Sequence, residues 1–118
     1  ELFKRKGYHF LSVIHSSAII SSDVCLGEGV QIMAGAVIQP GTSIGQNTII
    51  NSRATVDHDC SIGDHVHIAP GAVLCGSTII NNLTIGSNSV IGAGAVVIRD
   101  VSDGKTVVGV PAKELEKR

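Results

Sequence analysis

The chain has 118 residues, a formal net charge of −1 and 16% charged residues. That is the length of one domain, without the basic surplus that nucleic acid or an anionic membrane surface would require. Apolar residues reach 43% and aromatic ones only 3%, so the core is expected from Ile, Val, Leu and Ala.

Residues 1–13 carry a basic start, Lys4-Arg5-Lys6, then Gly7 and the aromatic pair Tyr8 and Phe10. They read as a remnant of, or linker from, a preceding domain. From Ile14 the chain repeats. Stepping by six gives Ile14, Ile20, Leu26, Ile32, Ile38, Ile44, Ile50, Val56, Ile62, Ile68, Leu74 and Ile80, every one an aliphatic. Four residues after each lies a small or β-branched residue, among them Ala36, Thr42, Thr48, Ala54, Cys60 and Ala72. Glycine directly follows the aliphatic at Gly27, Gly45, Gly63, Gly86 and Gly92.

A period of six excludes the α-helix, which needs an apolar residue every three to four positions. It also excludes a meander with turns every 8–12 residues. Three hexads close a triangular coil, and coils stack as parallel strands. The expectation is an all-β protein, a parallel β-helix of about five coils over residues 14–101. The aliphatics fill its interior and the small residues fit its corners.

The phase slips after Ile80, where the next aliphatics are Ile85, Ile91 and Val97. A five-residue excursion at a corner within Cys75–Thr84 explains this without breaking strand stacking. Residues 102–118 are expected to give a last strand, a turn at Pro111 and a short polar helix or frayed tail.

Cys25, Cys60 and Cys75 show no CxxC spacing. They argue against a disulfide framework and for a reducing, cytoplasmic setting. The apolar run Val90–Ile98 is too short to cross a bilayer, and no signal peptide is read.

Five histidines are present, and His58 stands out because Asp57 and Asp59 flank it at a corner. A corner His does not fill a core, and a neighbouring carboxylate can fix its tautomer and raise its basicity as a general base. Gly76 falls one coil after His58, about 4.8 Å away along the stack. A glycine there lets a ligand approach and offers an N–H to a developing oxyanion. His67 falls half a coil from His58, on the opposite side of one prism. If both serve one site, the second comes from a neighbouring subunit, which argues for a homotrimer with sites at its seams.

The stretch from Val56 to Ala72, containing Asp57-His58-Asp59-Cys60 and His65-Val66-His67, resembles the sialic-acid O-acetyltransferase type of hexapeptide-repeat sugar acyltransferases. That group includes N-acetyltransferases of UDP-4-amino sugars. His15-Ser16-Ser17-Ala18 resembles the family's entry motif, with Ser16 where Pro is common. Val107-Val108-Gly109-Val110-Pro111-Ala112-Lys113 resembles its ending. The resemblance implies a left-handed coil. It also implies acetyl-CoA as co-substrate, a sugar or nucleotide-sugar acceptor and no metal. It assigns His58 as the base and Asp59 as the acid that raises its basicity. It further implies acetyl-CoA contacts from His67, the Gly76 N–H at the thioester carbonyl, Ala93 along the pantetheine arm and Lys113 at the CoA phosphates. Family members usually carry an N-terminal nucleotide-binding domain, which residues 1–13 do not supply.

Two rivals remain. One is a zinc carbonic-anhydrase-like β-helix holding metal through His58, His65 and His67 across a seam. The other is a non-catalytic β-helix scaffold. Cys75 as a nucleophile lacks a base beside it in sequence.

Overall fold

The computed structural model describes residues 11–74 and 82–115. They form sixteen very short strands and no helix. The strands fall into three faces, as the period of six requires. Face A stacks β1 (Val13–Ile14), β4 (Gln31–Ile32), β7 (Ile49–Ile50), β10 (His67–Ile68), β13 (Val90–Ile91) and β15 (Thr106–Val108), with β16 (Lys113–Glu114) at its end. Face B stacks β2 (Ile19–Ile20), β5 (Val37–Ile38), β8 (Thr55–Val56), β11 (Val73–Leu74) and β14 (Val96–Val97). Face C stacks β3 (Cys25–Leu26), β6 (Ser43–Ile44), β9 (Ser61–Ile62) and β12 (Thr84–Ile85). All pairings between coils are parallel. Three corners, AB, BC and CA, join the faces in chain order.

The predicted inward row is buried from Ile32 onward, with Ile32, Ile50, Ile68, Leu74 and Ile91 at 0% exposure. Each such side chain contributes about 1.5–3 kcal/mol by leaving water. The small row is inward too, with Ala36, Ala54, Cys60 and Ala72 buried. Buried Thr42 and Thr48 keep their hydroxyls satisfied by donating to the carbonyls of Asp57 (3.1 Å) and Gly63 (2.8 Å) in the next coil. Ile14, first of the row, is 47% exposed because it lies at the open end of the described stack.

From Gly29 to Gly71 each corner turns on its third residue, which takes a left-handed backbone conformation; Ser17 and Asp23, at that place in the first two corners, do not. The series runs Gly29, Gly35, Gly41, Asn47, Arg53, Asp59, His65 and Gly71, and resumes at Asn88, Gly94 and Gly104. Gly, Asn and Asp visit this region readily; Arg53 and His65 adopt it at a cost of about 1–2 kcal/mol each. Gly27, Gly45 and Gly63, on the CA edge, have a different reason to be glycine. A Cβ on any of them would lie 2.6–2.7 Å from backbone atoms of the following coil.

Strand partners are eighteen residues apart through the lower coils, as in Val37↔Thr55 and Ile44↔Ile62. They are twenty-three apart above, in Ile62↔Ile85, Ile68↔Ile91 and Leu74↔Val97. The five extra residues therefore sit between Leu74 and Leu83, and the strands remain in phase, as a corner excursion requires. Ile85 stacks on Ile62, and Ile80, the last of the predicted row, lies outside the described residues. The course of residues 75–81, including Cys75 and Gly76, lies outside the described residues.

The tail differs from expectation. After β15 the chain turns through residues 109–112 and runs back as β16, antiparallel to β15. No helix begins at Lys113. The open top of the stack offers unpaired backbone groups, and the tail satisfies them. The Ala112 N–H donates to Val96 O at 2.8 Å, and the Leu115 N–H donates to Thr106 O at 2.7 Å. Lys105 Nζ and Glu114 Oε1 add an ion pair at 3.1 Å.

Candidate active site

The BC corner of the third coil holds Asp57, His58 and Asp59. Asp57 Oδ1 accepts the His58 backbone N–H at 2.8 Å. The Asp57 carbonyl accepts the Thr42 hydroxyl, so the peptide before His58 is held on both sides. Asp59 has φ +58° and donates its N–H to Pro40 O, 2.9 Å away in the coil below. That backbone turn points its carboxylate back at its neighbour. Asp59 Oδ2 accepts from His58 Nδ1 at 3.0 Å. A carboxylate only accepts, so this contact selects the tautomer protonated on Nδ1 and leaves Nε2 as the basic nitrogen. The side chains are 46% and 58% exposed in the single chain, so the pair stands on an open edge.

His67 begins β10 on face A, its side chain half-buried between outward-facing Ile49 and Val90. Asn51 Oδ1 accepts the Ser52 N–H at 2.7 Å, which orients the Asn51 amide so that Nδ2 faces His67 Nε2 at 3.2 Å. Face A lies across the prism from the BC edge, so one chain does not bring His58 and His67 together. His65 is at the CA corner. The three histidines considered for zinc thus occupy two different corners and one face. Among the described residues no group of three or more His, Cys, Asp or Glu is placed to hold a metal ion.

Ala93 is exposed at the AB corner of the fifth coil, above Pro70, whose carbonyl accepts the Gly94 N–H at 3.0 Å. It is therefore on a different edge from His58. Lys113 is exposed in β16 and lines a surface groove with Ile98, Arg99, Pro111 and Ala112. Sequence reasoning missed Arg99. Once the five extra residues are counted, residues 98–100 form the BC corner two coils above His58, and Arg99 sits on the same edge as the histidine. The signal was available as a count of twenty-three from Gly76. A second shallow groove, lined by Gln39, Thr55, Val56, Asp57, Val73 and Leu74, runs beside the histidine corner on face B.

The outward rows differ between faces. Face A presents Val13, Gln31, Ile49, His67, Val90 and Thr106, face B presents Ile19, Val37, Thr55, Val73 and Val96, and face C presents Cys25, Ser43, Ser61 and Thr84. Face B is thus largely apolar, face A alternates aliphatic with polar residues, and face C is small and polar.

The bacterial transferase hexapeptide model, six repeats long, matches residues 41–76, the stretch that contains the histidine corner. The chain belongs to the hexapeptide-repeat family. Its fold is the left-handed parallel β-helix of that family. This hexapeptide-repeat chain is 39% identical to the acetyltransferase domain of PglB from Neisseria gonorrhoeae, solved in complex with acetyl coenzyme A. The match has a TM-score of 0.75 and covers 95% of this chain and 61% of that one. The chain is 32% identical to a GDP-perosamine N-acetyltransferase of Escherichia coli, over 87% of this chain and 44% of the relative. It is 36% identical to a serine acetyltransferase of Buchnera aphidicola, over 85% of this chain and 36% of the relative. The chain thus spans less than half the length of these two curated relatives. Among the described residues no helix is long and apolar enough to cross a membrane.

Proposed function

We propose that this chain transfers an acetyl group from acetyl-CoA to an amine or hydroxyl of a sugar or nucleotide sugar, with His58 as general base. The observation that carries the reading is the 3.0 Å contact from His58 Nδ1 to Asp59 Oδ2 at an exposed corner. It leaves Nε2 to take a proton from the acceptor as the acceptor attacks the thioester carbonyl. The tetrahedral oxyanion meets the Gly76 N–H. As the thioester C–S bond breaks, CoA leaves as its thiol, and no acyl-enzyme forms.

The sites lie at the seams of a homotrimer. His67 of one subunit faces His58 of the next, which is the arrangement that opposite placement in one chain calls for. The apolar outward row of face B and the aliphatics Ile49 and Val90 beside His67 on face A supply the surfaces to pack, and polar face C remains outside. His67 contacts the co-substrate, Ala93 lies along the pantetheine arm, and Lys113, with Arg99 beside it, receives the CoA phosphates. Residues 14–101 are the catalytic unit, 102–118 its closing strand and tail, and 1–13 a link to a preceding domain. A cytoplasmic location, where acetyl-CoA and reduced cysteines coexist, accompanies this reading.

The perosamine relative supports an amino-sugar acceptor. The serine acetyltransferase supports a second reading, an amino-acid hydroxyl. The test is calorimetric titration of acetyl-CoA into the purified chain, with its mass measured by light scattering on the same sample. The expected result is micromolar binding to a trimer. Turnover is then followed by thiol release with UDP- and GDP-linked amino sugars against L-serine. A folded trimer that binds no acetyl-CoA would overturn the proposal.

A further inference from the structure

We propose that Gly41 is a positioning residue for the His58–Asp59 pair, because its missing side chain is the space into which the Asp59 carboxylate folds. Gly41 is the left-handed residue of the BC corner directly below Asp59. A Cβ built on it would overlap Asp59 Oδ1 and stand 3.0 Å from Asp59 Cγ. The other oxygen of that carboxylate is the one bonded to His58 Nδ1. Any side chain at residue 41 therefore collides with the group that orients the histidine.

Which group yields decides the consequence. At Gly45 and Gly63 a Cβ meets backbone of the next coil, which does not move without opening the stack. At Gly41 it meets the end of a flexible, exposed side chain. The cheap relaxation is a rotation of Asp59 about χ1, and that rotation breaks the contact to His58. The fold survives and the pair does not. Gly71 provides the matching control. It has φ +71° against +77° for Gly41, and its added Cβ would find nothing nearer than 3.9 Å. The two glycines share the backbone strain and differ only in what the new carbon touches.

The geometric part stands without any assumption about activity, whereas the effect on turnover rests on the acetyl-transfer reading. The experiment compares wild type, Gly41→Ala, Gly71→Ala, Asp59→Asn and the double variant Gly41→Ala/Asp59→Asn, all in the full chain. The ring nitrogen shifts of His58 are read by long-range proton–nitrogen NMR, and acetyl transfer is read by thiol release. Wild type and Gly71→Ala are expected to show the Nδ1-protonated tautomer, while Gly41→Ala shows the mixture seen in Asp59→Asn. Gly41→Ala and Gly71→Ala are expected to lose similar thermal stability. Turnover in Gly41→Ala should fall to within about threefold of Asp59→Asn, and the double variant should be no worse than Asp59→Asn alone. If Gly41→Ala fails to fold, Gly41→Asn replaces it, since Asn already occupies this corner position at Asn47 and Asn88. A Gly41 variant that keeps the wild-type tautomer overturns the proposal. A tautomer shift in a chain that transfers no acetyl group upholds Gly41 and removes the function assigned to the pair.

Discussion

Replacing Asp59 by Asn tests the active-site geometry with little disturbance of the fold. Residue 59 has φ +58°, and Asn holds the same corner position at Asn47 with φ 55° and at Asn88 with φ 60°. The substitution therefore keeps the turn and removes only the charge that selects the His58 tautomer. Its magnitude depends on where the pair sits during turnover. With side chains 46% and 58% exposed, an ion pair in the isolated chain would be worth about 0–1 kcal/mol, or at most about fivefold in rate. At a seam that covers the edge, a hydrogen bond to a charged group is worth about 1.5–3 kcal/mol, which converts to roughly 10- to 150-fold. The expected result, by thiol release in a trimeric sample at saturating acetyl-CoA, is a fall in kcat of about 10- to 100-fold. His58→Ala should cost about 10²–10⁴-fold, and the double variant should equal His58→Ala alone. An Asp59→Asn trimer within twofold of wild type would refute the orienting role. Full activity in His58→Ala would remove the histidine from the mechanism.

Gly63→Ala is expected to lose about 1–3 kcal/mol by overpacking, because its Cβ would meet the backbone of Ser87 at 2.7 Å. Gly94→Ala, with φ +66° and open space around it, should lose only the left-handed strain of about 1–2 kcal/mol and no close contact; urea midpoints compare the two. Asp23 has its pKa lowered by the Ser21 hydroxyl and then by the Gly41 N–H, bonds of 2.8 and 3.1 Å. A depressed folded-state pKa stabilises above the unfolded value and is lost as pH falls through the folded one. Asp23→Asn should therefore lower stability slightly near neutral pH and flatten its fall below about pH 4, as acid titration of the thermal midpoint would show. Deleting residues 77–81 should preserve the β-helix, because it restores an eighteen-residue spacing between strands that already stack; circular dichroism showing lost strand content would contradict this.

The coil itself was legible because a period of six leaves few alternatives. Ile32, Ile50, Ile68 and Leu74 are inward for the same reason that they recur. The phase after Leu74 was harder. Ile80 has the right type and spacing, and only hydrogen bonding shows that Ile85 takes the place above Ile62. That ambiguity also hid Arg99, which lies on the BC edge two coils above His58. The left-handed residues also repeat every six positions, but Arg53 and His65 interrupt the run of Gly, Asn and Asp that would have revealed it. The tail misled by composition. Lys113-Glu114-Leu115 reads as helix former, yet the unpaired edge above β15 offered it backbone partners that local propensity does not register.

The five added residues lengthen the chain between Leu74 and Leu83 without displacing a single strand partner above them. Sequence distance and spatial distance are thereby uncoupled at one corner. Such a corner can gain, lose or exchange residues while the histidine corner one coil below keeps its coordinates. Chain length at that corner and the geometry of the histidine corner can then vary independently.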